Sequence, residues 1–212
     1  MALTTTISRA HGRAAPARGI IYGWLTDLLV YPEPDLVRAL GDGTVARSLH
    51  EAAEALPYEL AVEGFDSVGD AELASLGPSY IATFDVPTKG STCPLYGGAL
   101  GGDRRETMED LLRFYRHFGL SVAHADQRDL PDSVATVAEF LGFLVHRESD
   151  SSGDEQEAFR LAQRDVLGRH VCRWAPVIRK RVGSTSAPPL YRAVVALLDD
   201  FSAGEAQALS EG

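Results

Sequence analysis

Apolar residues recur every three to four positions along almost the whole chain, and no stretch alternates with the period of two that a half-buried strand needs. That spacing puts them on one side of a helix, so the chain can bury its apolar surface only by laying helix against helix. Ile20, Ile21, Trp24, Leu25, Leu28 and Leu29 form the first stripe, which ends at Tyr31-Pro32. Pro34 opens a short helix over 34–40, stopped near Gly41 and Gly43, and Val45, Leu49 and Leu56 mark another over 44–56. Residues 70–84 carry Leu73, Leu76, Tyr80 and Phe84, with Gly77-Pro78 predicting a break. Residues 85–102, with Pro87, Pro94 and four closely spaced glycines, predict a long irregular, mobile loop.

Asp103 and Glu106 have the spacing of a capping pair, and the helix they open carries Leu111, Leu112, Tyr115 and Phe118 up to Gly119. The helix over 132–147 has so wide an apolar face, from Val134 to Val145 and including Phe140 and Phe143, that it belongs at the centre. A mobile linker at 149–154, a long helix over about 155–181 bent at Pro176, and a last helix from Leu190 to Phe201 follow. The prediction is an all-α, single-domain bundle of seven to nine helices over 18–204. A disordered leader over 1–17 precedes it and a flexible tail over 205–212 follows it.

The formal charge of −10 repels phosphate backbones and anionic lipid, which argues against nucleic acid and membrane as partners; a basic peptide would be attracted, but by itself the charge reads first as solubility. The apolar run Ile20 to Val30 is interrupted by Thr26 and Asp27, so it lacks a signal peptide's core, and nothing reaches the length of a membrane span. Two distant cysteines, Cys93 and Cys172, fit a reduced, cytoplasmic setting.

Catalytic and cofactor patterns are missing. The glycines from Gly97 to Gly102 are followed by Asp103-Arg104 where a phosphate loop needs Gly-Lys-Ser/Thr, so a flexible loop fits better than a nucleotide cradle. The six histidines include no pair at metal-ligand spacing, and His170 lies on an apolar stripe as a core histidine would. No serine sits in a Gly-x-Ser-x-Gly turn, and Cys93 has only Lys89 nearby to activate it. The expectation is no enzyme, no metal and no cofactor.

Several segments carry a family likeness. Leu28-Leu29-Val30-Tyr31-Pro32, Tyr96-Gly97-Gly98 to Gly102-Asp103-Arg104-Arg105, Leu130-Pro131-Asp132 with Glu139-Phe140-Leu141, and His170 with Trp174 and Pro176 stand in one order along the chain. Together they resemble the TorD/DmsD/NarJ-like molybdoenzyme maturation chaperones, in the branch serving type II enzymes of the dimethyl sulfoxide reductase family. The resemblance implies a system-specific chaperone that binds the N-terminal, twin-arginine signal segment of a molybdopterin oxidoreductase catalytic subunit before export. Ser133 departs from the family's Pro-Asp-His, which removes any imidazole role there.

An arginine followed by apolar residues needs carboxylates beside an apolar groove. Asp132, Thr136, Glu139 and Phe143 fall near one face of their helix, and Tyr96 and Tyr115 are candidate groove walls. Asp132 is also placed to cap that helix, and Glu139 is equally readable as a solvated or internally paired charge. A helical adaptor for another protein, or a nucleotide- or small-ligand-binding helical protein, are the alternatives. The expected oligomeric state is monomer or weak homodimer.

Overall fold

Proline opens three of the helices, at Pro16, Pro34 and Pro189, where a missing N–H leaves no hydrogen bond unmade. The computed structural model describes residues 14–66, 68–85, 93–121 and 130–211. The helices are α1 (Ala15–Leu28), α2 (Pro34–Gly41), α3 (Thr44–Glu54), α4 (Asp70–Ala74), α5 (Leu76–Tyr80), α6 (Gly97–Leu100), α7 (Arg104–His117), α8 (Val134–Asp150), α9 (Gly153–Val166), α10 (Cys172–Gly183) and α11 (Pro189–Ser210). A wide π-helical turn, Leu167–Val171, joins α9 to α10 as one rod, and a second, Ile81–Asp85, extends α5. Among the described residues there is no strand, so the all-α expectation is met.

The central helix is α8, as its broad apolar face requires. It packs most extensively on α1 and then on α9, while α10 lies on α11 and α3 on α1. Arg18 near the start of α1 meets Glu148 near the end of α8, and Gly142 lies against Tyr22, so the two helices run antiparallel. Pro176 cannot donate back to Cys172, and the wide turn sits one helical turn before it.

Three boundaries differ from expectation. Residues 1–13 of the expected leader lie outside the described residues, but Ala15 and Ala17 are helical and buried. The expected linker at 149–154 is a two-residue turn, Ser151 and Ser152, which Gly153 completes at φ +60°. The expected C-terminal tail is helical to Ser210, with Glu205, Ala208 and Leu209 buried. The core stripe of α11 runs on through Glu205, whose charge disguised it.

That glutamate belongs to a buried polar cluster. The Arg18 guanidinium is fully buried and donates through Nε to Glu205 (2.9 Å to Oε2), through Nη1 to Glu148 Oε2 (2.8 Å) and through Nη2 to Gln163. Gln163 donates to Glu148 (3.0 Å), Tyr58 donates to Glu205 Oε1 (2.8 Å), and Arg160 lies 3.8 Å from Glu148. Burial works to lower the Arg18 pKa, but the two carboxylates outweigh it and hold the guanidinium charged far above its ordinary value. Gly204 makes room for this cluster: a Cβ there would lie 2.5 Å from the Tyr58 ring.

Arg18→Met leaves the Glu148 and Glu205 carboxylates buried together without the guanidinium that joins them. The expected loss is roughly 3–5 kcal/mol of unfolding free energy in urea at pH 8. Protonating either carboxylate relieves their repulsion in the folded variant, so the deficit should shrink as pH falls toward 5. A deficit that stays constant with pH would contradict the assignment of the cluster.

Candidate functional site

Three of the chain segments that carry the family likeness, around Gly97, Asp132 and Trp174, meet at the start of α8. Residues 95–98 run alongside residues 132–134. Val134 N–H donates to Leu95 C=O (3.0 Å), and Tyr96 forms an isolated antiparallel bridge with Ser133. The first N–H groups of α6 are orphans of a helix start. Gly97 N–H donates to Asp132 C=O (2.8 Å) and Gly98 N–H to Asp132 Oδ2 (2.9 Å).

Asp132 thus caps a helix, but a neighbour's and not its own. The expectation that it caps α8 is corrected: Ser133 holds that N-cap position, without a side-chain cap bond. Asp132 is fully buried, and its Oδ1 has no hydrogen-bond partner among the described residues. Tyr115 of α7 donates to Pro131 C=O (2.8 Å), and burial pushes its phenol pKa well up. Gly97 completes the junction from the other side, where a Cβ would lie 2.3 Å from the Trp174 indole of α10.

The described part of the expected loop is therefore tied down. Cys93, Leu95 and Leu100 are buried, and residues 86–92 lie outside the described residues. Both cysteines are free, and burial pushes the Cys93 thiol up, away from reactive thiolate.

Beside the junction, a cleft of about 550 Å³ separates the start of α7 from the 167–171 turn. Gly101 and Gly102 line it at φ +138° and +92°, which explains two glycines in backbone terms alone. Asp103 caps α7 by accepting from Glu106 N–H (3.0 Å), as its spacing predicts. On the opposite wall His170 Nε2 lies 3.0 Å from Asp110, and its ring is 5.2 Å from that of Trp174. Arg169 reaches Asp165 (3.2 Å) and, at 3.5 Å, Asp110. Burial lowers the His170 pKa below its ordinary 6.5, and Asp110 only partly offsets that. His170 is thus the satisfied, nearly buried histidine that its stripe predicts.

Of the six residues expected to contact a peptide, Asp132 and Tyr115 are buried within the junction. Glu139 is exposed, and Thr136, Phe143 and Tyr96 are half-buried. Tyr115 packs edge-on against Phe140 (4.9 Å), which stacks on Phe143 (6.3 Å), so a line of aromatic rings leads from the junction to the surface. Sequence reasoning missed Asp110 and the Arg18 cluster. Only a charge set within an apolar stripe, as Arg18 is between Ala17 and Ile21, hinted at the latter. Among the described residues no three His, Cys, Asp or Glu side chains are grouped to hold a metal, and no helix is long and apolar enough to cross a membrane.

Gly97→Ala forces the backbone and the Trp174 ring apart. It should cost about 1–3 kcal/mol and shift tryptophan emission, as read by urea unfolding followed by fluorescence. The His170 imidazole, followed by NMR, should titrate below 6.5, and lower still in Asp110→Asn, which removes a carboxylate that pulls it up. Because the folded pKa lies below the unfolded one, His170's contribution to stability is full above pH 6.5 and is lost as pH falls through the folded midpoint.

Residues 41–179 match the family model described as nitrate reductase delta subunit. The chain is 35% identical over 117 residues to a selenate reductase assembly chaperone protein of Thauera selenatis, covering 53% of this chain and 60% of that one. It is 34% identical over 115 residues to a chlorate reductase assembly chaperone protein of Ideonella dechloratans, covering 52% and 59%. Both matches thus span less than two thirds of those relatives. A third, to a dimethyl sulfide dehydrogenase assembly chaperone protein of Rhodovulum sulfidophilum, is 32% identical and covers 81% of this chain and 71% of the relative. These relatives are named as assembly chaperones and not as catalysts. No solved structure is a significant match.

Proposed function

The chain belongs to the nitrate reductase delta subunit family, and on that premise we propose that it is an assembly chaperone for the catalytic subunit of a molybdopterin oxidoreductase. It works in the cytoplasm without turnover of its own. It holds the N-terminal, twin-arginine signal segment of that subunit until cofactor is inserted and the enzyme is ready for export. Relatives named for the assembly of selenate, chlorate and dimethyl sulfide enzymes support the chaperone role.

The observation that carries the peptide-binding part is the surface beside the junction. Thr136, Glu139 and Phe143 follow one another at helical spacing from Ser133, which bridges to Tyr96. That places an exposed carboxylate next to half-buried aromatic carbon, the pairing that an arginine followed by apolar residues needs. Asp132 and Tyr115 serve it from beneath by fixing residues 95–98 and the start of α8.

A peptide with the client subunit's N-terminal segment, titrated calorimetrically, should bind and weaken as salt is added. Glu139→Gln should reduce its affinity at least tenfold with the circular dichroism spectrum unchanged. Undiminished, salt-insensitive binding by that variant would remove the face. Failure of the wild-type chain to capture any molybdoenzyme catalytic subunit would remove the function.

A further inference from the structure

Helix α10 carries four cations and no carboxylate, in a chain whose formal charge is −10. Residues 103–117 and 167–183 form the two walls of the charged cleft and its continuation along α10. They hold nine arginines and lysines against four carboxylates, so the rest of the chain is correspondingly more acidic. Three of those four carboxylates are already engaged. Asp103 accepts from Glu106 N–H (3.0 Å), Glu109 pairs with Arg105 (2.8 Å), and Asp110 faces His170 and Arg169. A client's arginines thus find little to hold here.

The cations are less committed. Among the described residues no hydrogen bond or ion pair holds Arg113, Arg173 or Lys180, and Arg113 acts on Glu109 only from a distance. Arg113 and Arg173 line the cleft from opposite walls, and all three side chains are exposed. Arg173 and Lys180 are seven residues apart, which puts them on one side of α10, about 10 Å apart along its axis. Arg179 is turned the other way, to Asp199 (3.2 Å) and Asp200 (2.6 Å) of α11. Charges of one sign gathered on a surface raise the local concentration of an oppositely charged partner.

We propose that Arg113, Arg173 and Lys180 form a docking surface for a short acidic segment of a protein partner. Its glutamate or aspartate side chains bridge the mouth of the cleft and run along α10. Scale selects this partner. Salt screens exposed charges beyond about 8 Å at physiological ionic strength, so a short acidic segment feels the patch alone. A nucleic acid or an anionic membrane extends far past the patch and meets the acidic remainder of the chain. A second copy would have to offer its acidic surface head to tail, which builds rings or open filaments. The surface shares no residue with the Glu139 face and attracts the opposite charge, so the inference does not rest on the client reading above.

His170 supplies a reporter inside the cleft. Burial lowers its pKa most, and Arg169 and Arg173 add to that against the pull of Asp110. The full chain is titrated with a fluorescent peptide of glutamates spaced by serines and glycines, and with a control carrying glutamines in their place. The first should bind saturably, weaken as salt is added, and raise the His170 midpoint read by NMR; the control should do none of these. The Arg173→Gln, Lys180→Gln double variant should keep its circular dichroism and lose about tenfold in affinity. Arg38→Gln, which removes an exposed cation from α2, and Glu139→Gln should bind the peptide as the wild type does. An unmoved His170, undiminished affinity in the double variant, or equal loss in Arg38→Gln overturns the proposal. So does tighter binding of pyrophosphate or single-stranded DNA than of the peptide, or self-association in sedimentation that the double variant lacks. None of these outcomes bears on whether the chain captures a molybdoenzyme subunit.

Discussion

One guanidinium, that of Arg18, holds four helices in register. An arginine without solvent is tolerable only where nearly every N–H has an acceptor and the local charge sums near zero. Glu148, Gln163 and Glu205 provide the acceptors from α8, α9 and α11, and Arg160 offsets the second carboxylate. Apolar stripes alone let helices slide by a turn at small cost, whereas this cluster pairs its charges in a single arrangement. That arrangement sets the height of α8 against α1, and with it where the start of α8 lies. The junction with residues 95–98 is built at that end.

The junction follows a second rule, that a helix start has N–H groups to give away. The glycine-rich stretch begins a helix too short to stabilise itself, and Asp132 accepts its leading N–H groups from another part of the chain. Trp174 closes the opposite side, where only a glycine fits. Residues far apart in sequence thereby present one surface, with Glu139 and Phe143 at its edge. The charged cleft next to it is largely cross-linked within itself through Asp110, His170 and Arg169, which leaves it poorly suited to grip and release a client.

The helices and their buried faces were legible because each is written in local spacing. Val134, Leu141 and Leu144 could be placed in the core from position alone, and the Asp103 cap from its distance to Glu106. The failures share a cause, which is that spacing reports only what a residue does within its own element. Asp132 looks like a cap for the helix that follows it, and nothing local distinguishes that from capping α6. Glu205 reads as surface, so α11 seemed to end early. Ser151, Ser152 and Gly153 have the composition of a linker, yet a tight turn between two packed helices uses the same residues. Of the site, the sequence showed which segments matter, while the burial of Asp132 and Tyr115 depended on contacts it does not record.

The bond between Arg18 and Glu205 joins positions 187 residues apart. A chain synthesised from its N-terminus makes α1 long before α11, so α1 waits for the contacts that α11 provides. Until the turn of α11 that carries Glu205 is in place, the buried Arg18 charge lacks one of its carboxylate partners. Contacts of such long sequence separation form slowly. Removing the last turns of α11, from Glu205 onward, would therefore reach the centre of the molecule.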